Sequence, residues 1–163
     1  MTRRGVALEL TRLEAAHLSG LVSQFEELVI ESSDAAADPA VVRLVPDAYA
    51  DGEDAREFRR LTESDLLGRR RADAAAVRAS LVEAADISDD PDDPSLLESV
   101  EVRLSPDDAQ AWLRTLAAIR LVLATRLGIT DADDHDDGDP RFGVYDWLGY
   151  RLHGLVTALD ADA

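Results

Sequence analysis

Ser99–Gly128, SVEVRLSPDDAQAWLRTLAAIRLVLATRLG, decides how this chain folds. Val100, Val102 and Leu104 alternate with polar residues, which is the period-two pattern of a strand with one buried face. Ser105 then offers a helix cap, Pro106 suits the first helical position, and Asp108 follows at capping-box spacing. From Trp112 onward, Leu113, Leu116, Ile119, Leu123 and Leu127 recur at helical spacing until Gly128 supplies a stop. The stretch reads as a strand feeding a helix.

The same grammar occurs at the start of the chain. Val6, Leu8 and Leu10 alternate, Thr11 and Glu14 form a capping box, and Leu18, Leu21, Val22, Phe25, Leu28 and Val29 line one helical face. A shift of 94 positions lays Val6 on Val100, Leu10 on Leu104, Thr11 on Ser105, Glu14 on Asp108 and Leu18 on Trp112. These are two strand-helix pseudo-repeats. Duplication and the shared grammar of strand, cap and helix are both sufficient explanations. Two short strands with exposed edges are best satisfied by pairing with each other.

Between the units, Thr62 and Asp65 predict a helix start carried by Leu66, Ala74, Val77 and Leu81 to about Ala85, with a shorter helix over Glu53 to Arg60 before it. Acidic connections are expected near residues 86–98 and 130–140. A last helix is predicted from near Pro140 to Leu159, with Val144, Trp147, Leu148, Leu152, Leu155 and Val156 on one face. The expected architecture is mainly α: four main helices plus a short two-stranded β ribbon, in a single compact domain over residues 1–163.

Composition narrows the chemistry. At 163 residues and 46% hydrophobic, the chain is long enough for one core that removes roughly 70% of its unfolded surface from water. It lacks the roughly 20-residue apolar run of a membrane helix, so a soluble, cytoplasmic protein without membrane contact is expected. A net charge of −17 disfavours direct nucleic-acid binding, which needs basic residues against phosphates. All 17 basic residues are Arg, so lysine Schiff-base chemistry is excluded. Cysteine is absent, which excludes disulfides, thiolate nucleophiles and cysteine metal sites.

Asp133, His135 and Asp137 before Gly138 imitate the start of an EF-hand loop, but the twelfth position, where a bidentate acid is needed, is Val144. A solvated acidic loop is the favoured reading, and no metal or other cofactor is expected. Glu14 and His17 read as a surface pair on one helix face. Arg69-Arg70-Arg71 reads as a solvated helix face, and Trp112, Trp147 and Tyr145 fall on apolar stripes that predict core positions. No nucleophile-His-acid order or phosphate-cradling glycine loop is present.

RLVPDAYADGEDAREFRRLTESDLL, residues 43–67, concentrates Arg43, Arg56, Arg59 and Arg60 around a Pro46-Asp47-Ala48-Tyr49 turn. Guanidinium groups make forked bonds to carboxylates, so an internal network tying this connection to a helix such as the one carrying Arg120 and Arg126 is favoured over an anion site.

Three segments in order, DPAVVRLVPDAYADGEDAREFRRLTESDL, AWLRTLAAIRLVLATRLGI and VYDWLGYRLHGLV, resemble an actinobacterial family catalogued as a domain of unknown function and also labelled the AosR, or oxidative stress regulator, family. The resemblance implies a small cytoplasmic regulator, often encoded near the ClpS adaptor, acting through protein partners in transcriptional responses to oxidative stress. Its signature positions here are Arg43, Pro46, Asp47, Tyr49, Glu57, Phe58, Arg59, Arg60, Trp112, Leu113, Arg120, Arg126, Tyr145, Asp146 and Trp147. Where the family often has Asn-Asp, this chain has Ala117-Ala118, and without cysteine it has no thiol sensor of its own. The expected function is a non-enzymatic regulatory protein working through protein-protein contacts, with transcription or Clp proteolysis machinery as partner and homodimerisation as a further option. The alternatives are a carboxylate-based metal-dependent hydrolase and an anion-binding module at Arg43–Arg60.

Overall fold

The structure, a computed structural model, describes residues 5–31, 39–42, 44, 53–129 and 142–161, with the side chains of 41–42 and 53–63 outside the description. The elements run β1 (Val6–Thr11), α1 (Arg12–Glu31), the single-turn α2 (Pro39–Val42), α3 (Glu53–Leu81), a 3-10 turn (Pro94–Leu97), β2 (Ser99–Leu104), α4 (Pro106–Leu127) and α5 (Gly143–Ala161). Among the described residues, four long helices and a two-stranded antiparallel ribbon make up the expected mainly α architecture.

The two strand-helix units meet through their strands. Val6 pairs with Leu104, Leu8 with Val102 and Leu10 with Val100. Because Leu8 and Val102 are themselves related by the 94-residue shift, exchanging the units carries each pair into another pair of the same ladder. The ribbon therefore has a local pseudo-two-fold at Leu8 and Val102. The helix starts match as well: Thr11 Oγ1 accepts from Glu14 N and Ser105 Oγ accepts from Asp108 N, both at 3.1 Å. These bonds satisfy backbone donors that the first turn of a helix leaves unpaired.

Along each strand the inner residues Val6, Leu10, Val102 and Leu104 are buried, while Ala7, Glu9, Glu101 and Arg103 face solvent. The inner face joins a core built from Leu18, Val22 and Phe25 of α1, Val77 and Leu81 of α3, Trp112 and Leu116 of α4, and Leu148 and Leu155 of α5. Burying each such aliphatic side chain contributes about 1.5–3 kcal/mol. Helix α1 packs on α3, α3 on α4, and α4 on α5, so α3 and α4 lie centrally in the helical layer.

Trp112 is buried without an orphaned donor, because its Nε1 donates to Ser80 Oγ at 3.2 Å and Ser80 Oγ donates in turn to the Ala76 carbonyl at 2.7 Å. Helix α4 ends at Gly128, whose φ of 74° lies in the left-handed region. Ile129 N then closes on Ala124 O at 2.8 Å. This turn leads into a second small cluster of Ala124, Ile129, Phe142 and Tyr145.

Three sequence expectations change in detail. The short helix at Glu53–Arg60 and the helix from Thr62 are one continuous helix, α3, since neither Gly nor Pro interrupts residues 53–67 and Gly68 is tolerated within a long helix. The acidic connection near 86–98 contains the turn Pro94–Leu97, capped by Asp93 accepting from Ser95 N at 2.9 Å. The last helix starts at Gly143. The connection near 130–140 lies outside the described residues.

Candidate functional site

The first turn of α1 and the N-terminal half of α5 meet at one carboxylate. Glu14 Oε1 accepts from Thr11 N at 3.1 Å, completing the capping box predicted from sequence. Its other oxygen, Oε2, accepts from Trp147 Nε1 at 2.9 Å and from Arg151 Nη2 at 2.7 Å. Trp147 and Arg151 stand four residues apart on α5 and so project from the same face. Arg151 Nη1 reaches further and donates to the Glu9 carbonyl at 3.1 Å. The guanidinium also lies 5.6 Å from the Trp147 ring centroid and 5.7 Å from that of Tyr150, within cation-π range.

Burial works to raise the Glu14 pKa, but the hydrogen bonds from Arg151, Thr11 N and Trp147, together with the Arg151 charge, outweigh it and hold the group at about 2. A carboxylate held that far below neutrality is a poor proton shuttle at physiological pH. Its role in this geometry is to orient Trp147 and Arg151.

Beside this node runs a mainly apolar cleft of about 270 Å³, lined by Glu14, His17, Leu21, Gly143, Val144 and Trp147. Glu14, His17 and Leu21 share one face of α1, and the other three residues are the opening turns of α5. Val144 is 47% exposed, so an apolar side chain stands open beside a cleft of the same character. The volume falls below the roughly 300–1,000 Å³ of ordinary small-molecule sites and suits an anchoring side chain.

The family-signature residues separate into distinct environments. Trp112 and Tyr145 are core residues, whereas Trp147 is half-buried at the cleft, so its apolar stripe places it at the edge of the core instead of inside it. Among the described residues Arg120 makes no ion pair with an acidic side chain. It lies 4.0 Å over the Tyr145 ring, donates from Nε to the Tyr145 carbonyl at 3.3 Å, and thereby ties α4 to α5. Asp146 is half-buried beside Trp147 on α5 and Arg126 is exposed near the end of α4. Arg43, Pro46, Asp47 and Tyr49 lie outside the described residues, as do the side chains of Glu57, Phe58, Arg59 and Arg60, whose backbone belongs to α3.

Two other expectations meet geometry. In the Arg69–Arg71 run, Arg69 pairs with Asp65 at 3.0 Å on the exposed face, and Arg70 turns inward to the Arg114 carbonyl at 3.4 Å. Arg114 in turn forks onto Asp73 at 2.8 and 3.0 Å. Asp133, His135 and Asp137 lie outside the described residues. Among the described residues no group of three or more metal-ligating side chains forms, and no helix is long and apolar enough to cross a membrane.

Arg151 carries the node yet is silent in the sequence. Its only local signal is the Trp147-to-Arg151 spacing, because its partners Glu9 and Glu14 are more than 130 residues away.

No match was found among curated proteins or among solved structures. A family model described as a domain of unknown function, DUF2017, matches residues 1–159, and over that nearly complete span the chain belongs to this family.

Proposed function

We propose that this protein is a non-enzymatic regulatory module that works by protein-protein contact, using the α1–α5 cleft to take an apolar anchor from its partner. The observation that carries the reading is the exposed Val144 beside a side-chain-sized apolar cleft whose wall, Trp147, is fixed by Glu14. A rigid aromatic wall lowers the entropy cost of binding, and aromatic side chains are common interface anchors. The net charge of −17 favours a partner segment with basic residues flanking the anchor and would speed its encounter. The resemblance to oxidative stress regulators suggests that the partner belongs to transcription or Clp proteolysis machinery. With no cysteine in the chain, any redox signal would enter through that partner.

The test is comparative capture from a lysate of the source organism with the full chain and with Val144→Asp, which alters an exposed position. The expected result is a transcription or proteolysis component held by the wild type, released by moderate salt, and lost with the variant. Equal capture by both proteins, or none of such components by the wild type, would remove the basis for this reading.

A further inference from the structure

The two outer edges of the β ribbon are treated differently. Arg12 N donates to Glu98 O at 3.0 Å, extending the ladder one step beyond the Thr11–Ser99 pair. Antiparallel pairing alternates, so the even-numbered residues of both strands turn their backbone groups toward each other and the odd-numbered residues turn theirs outward. On β1 that outer edge is occupied at its C-terminal end, since Arg151 binds the Glu9 carbonyl and Glu14 takes the Thr11 N–H. On β2 no hydrogen bond reaches the outward backbone groups of Ser99, Glu101 and Arg103 among the described residues. An open groove of about 590 Å³ runs along this edge, walled by Ser80 at the end of α3 and by Glu83 and Ala84 in the turn that follows it. Val82, 64% exposed, lies next to that wall.

We propose that a second copy of this chain pairs with the outer edge of β2, making a continuous four-stranded antiparallel sheet. The choice of occupant comes from charge. Antiparallel pairing of two β2 edges must match outward residues with outward residues. Centring the two-fold on Glu101 sets Glu101 against Glu101, and centring it on Arg103 sets Arg103 against Arg103. Centring it on Val102 sets Glu101 of each copy against Arg103 of the other, twice. In this register every charged residue of the edge faces its opposite, and opposite charges directly across a sheet are stabilising where like charges are not. Within one copy, Arg103 Nε already bonds Glu101 Oε1 at 2.7 Å, so the dimer would join two such pairs into a four-charge cluster. The axis also falls on the residue through which the internal pseudo-two-fold passes.

Sedimentation velocity over a concentration series tests the pairing on the full chain, with far-UV circular dichroism confirming that each variant is folded. The wild type is expected to dimerise. Arg103→Glu, which opposes carboxylates in both symmetric pairs, is expected to weaken association by about tenfold or more. Combining it with Glu101→Arg restores the complementarity and should recover association. Glu101→Pro removes an outward N–H, a position where strand proline is tolerated, and should leave a folded monomer. A wild type that stays monomeric would overturn the proposal, including one that instead binds an extended basic peptide at this edge. So would a dimer indifferent to Glu101→Pro, or a double reversal that fails to restore pairing.

Discussion

Glu14 and Arg151, separated by 137 residues, are joined by a 2.7 Å bond that links the capping box of α1 to the middle of α5. The same carboxylate holds Trp147, so one anion fixes both the wall of the cleft and the seal on the β1 edge. Replacing Arg151 by Met should destabilise the fold by about 1–3 kcal/mol, because a charge-assisted bond and a cap on a strand carbonyl are lost together. Urea denaturation measures this, and indole fluorescence should report loosening of Trp147.

The depressed Glu14 pKa predicts a specific acid response. A carboxylate whose folded pKa is about 2, against an ordinary value of 4.5, contributes stability that is fully present above about pH 4.5 and is lost as pH falls toward 2. Glu14→Gln should therefore be less stable than wild type at pH 7, with the difference shrinking across that window. A constant difference down to pH 2 would mean that the carboxylate is not ionised as the geometry requires.

Gly149 is needed where Arg120 crosses α5. A Cβ built there would lie 2.9–3.0 Å from the Arg120 guanidinium, which is itself locked over Tyr145. Alanine ordinarily stabilises a helix interior by about 1 kcal/mol relative to glycine. That gain should appear for Gly149→Ala in an Arg120→Ala background and be absent or reversed with Arg120 present. A double-mutant cycle in thermal or urea unfolding would give the coupling, and strict additivity would count against the packing described.

Glu26 is buried on α1 and pairs with Arg78 of α3 at 3.1 Å, and its Oε1 has no hydrogen-bond partner among the described residues. Arg78→Met should cost about 1–3 kcal/mol by stranding the carboxylate. The double variant Glu26→Leu/Arg78→Met should recover most of that loss, since an apolar pair replaces a partly satisfied ionic one. Chemical denaturation of the three variants decides the matter.

On the solvent face of the ribbon, Glu9 stands directly across from Glu101. Glu9→Thr removes this like-charge pair and raises β propensity, with an expected gain of about 0.2–1 kcal/mol. The gain should diminish at high salt, which screens the repulsion that is being removed.

Local residues were enough to announce the elements. The Thr11–Glu14 and Ser105–Asp108 caps, the Pro106 start and the Gly128 stop are contacts over a few residues, and each forms as its spacing predicts. Alternation at residues 6–10 and 100–104 marked both strands and their inner faces, and mutual pairing followed because two lone edges have no cheaper solution. The merger of two predicted helices into α3 was less legible, since an Ala- and Arg-rich stretch with Thr62 inside it offers cap-like signals that a continuous helix overrides.

What only the tertiary structure decided is which polar groups meet. Nothing near Arg151 in sequence indicates that it reaches Glu9 and Glu14, or that Arg120 prefers the face of Tyr145 to a carboxylate. Long guanidinium side chains find their partners only once α5 has packed on α4 and beside β1. The chain by itself determined its helices, strands and caps because those depend on near neighbours. The cleft, the partly covered edge of β1 and the open edge of β2 depend on where distant elements come to rest, and packing alone settles that.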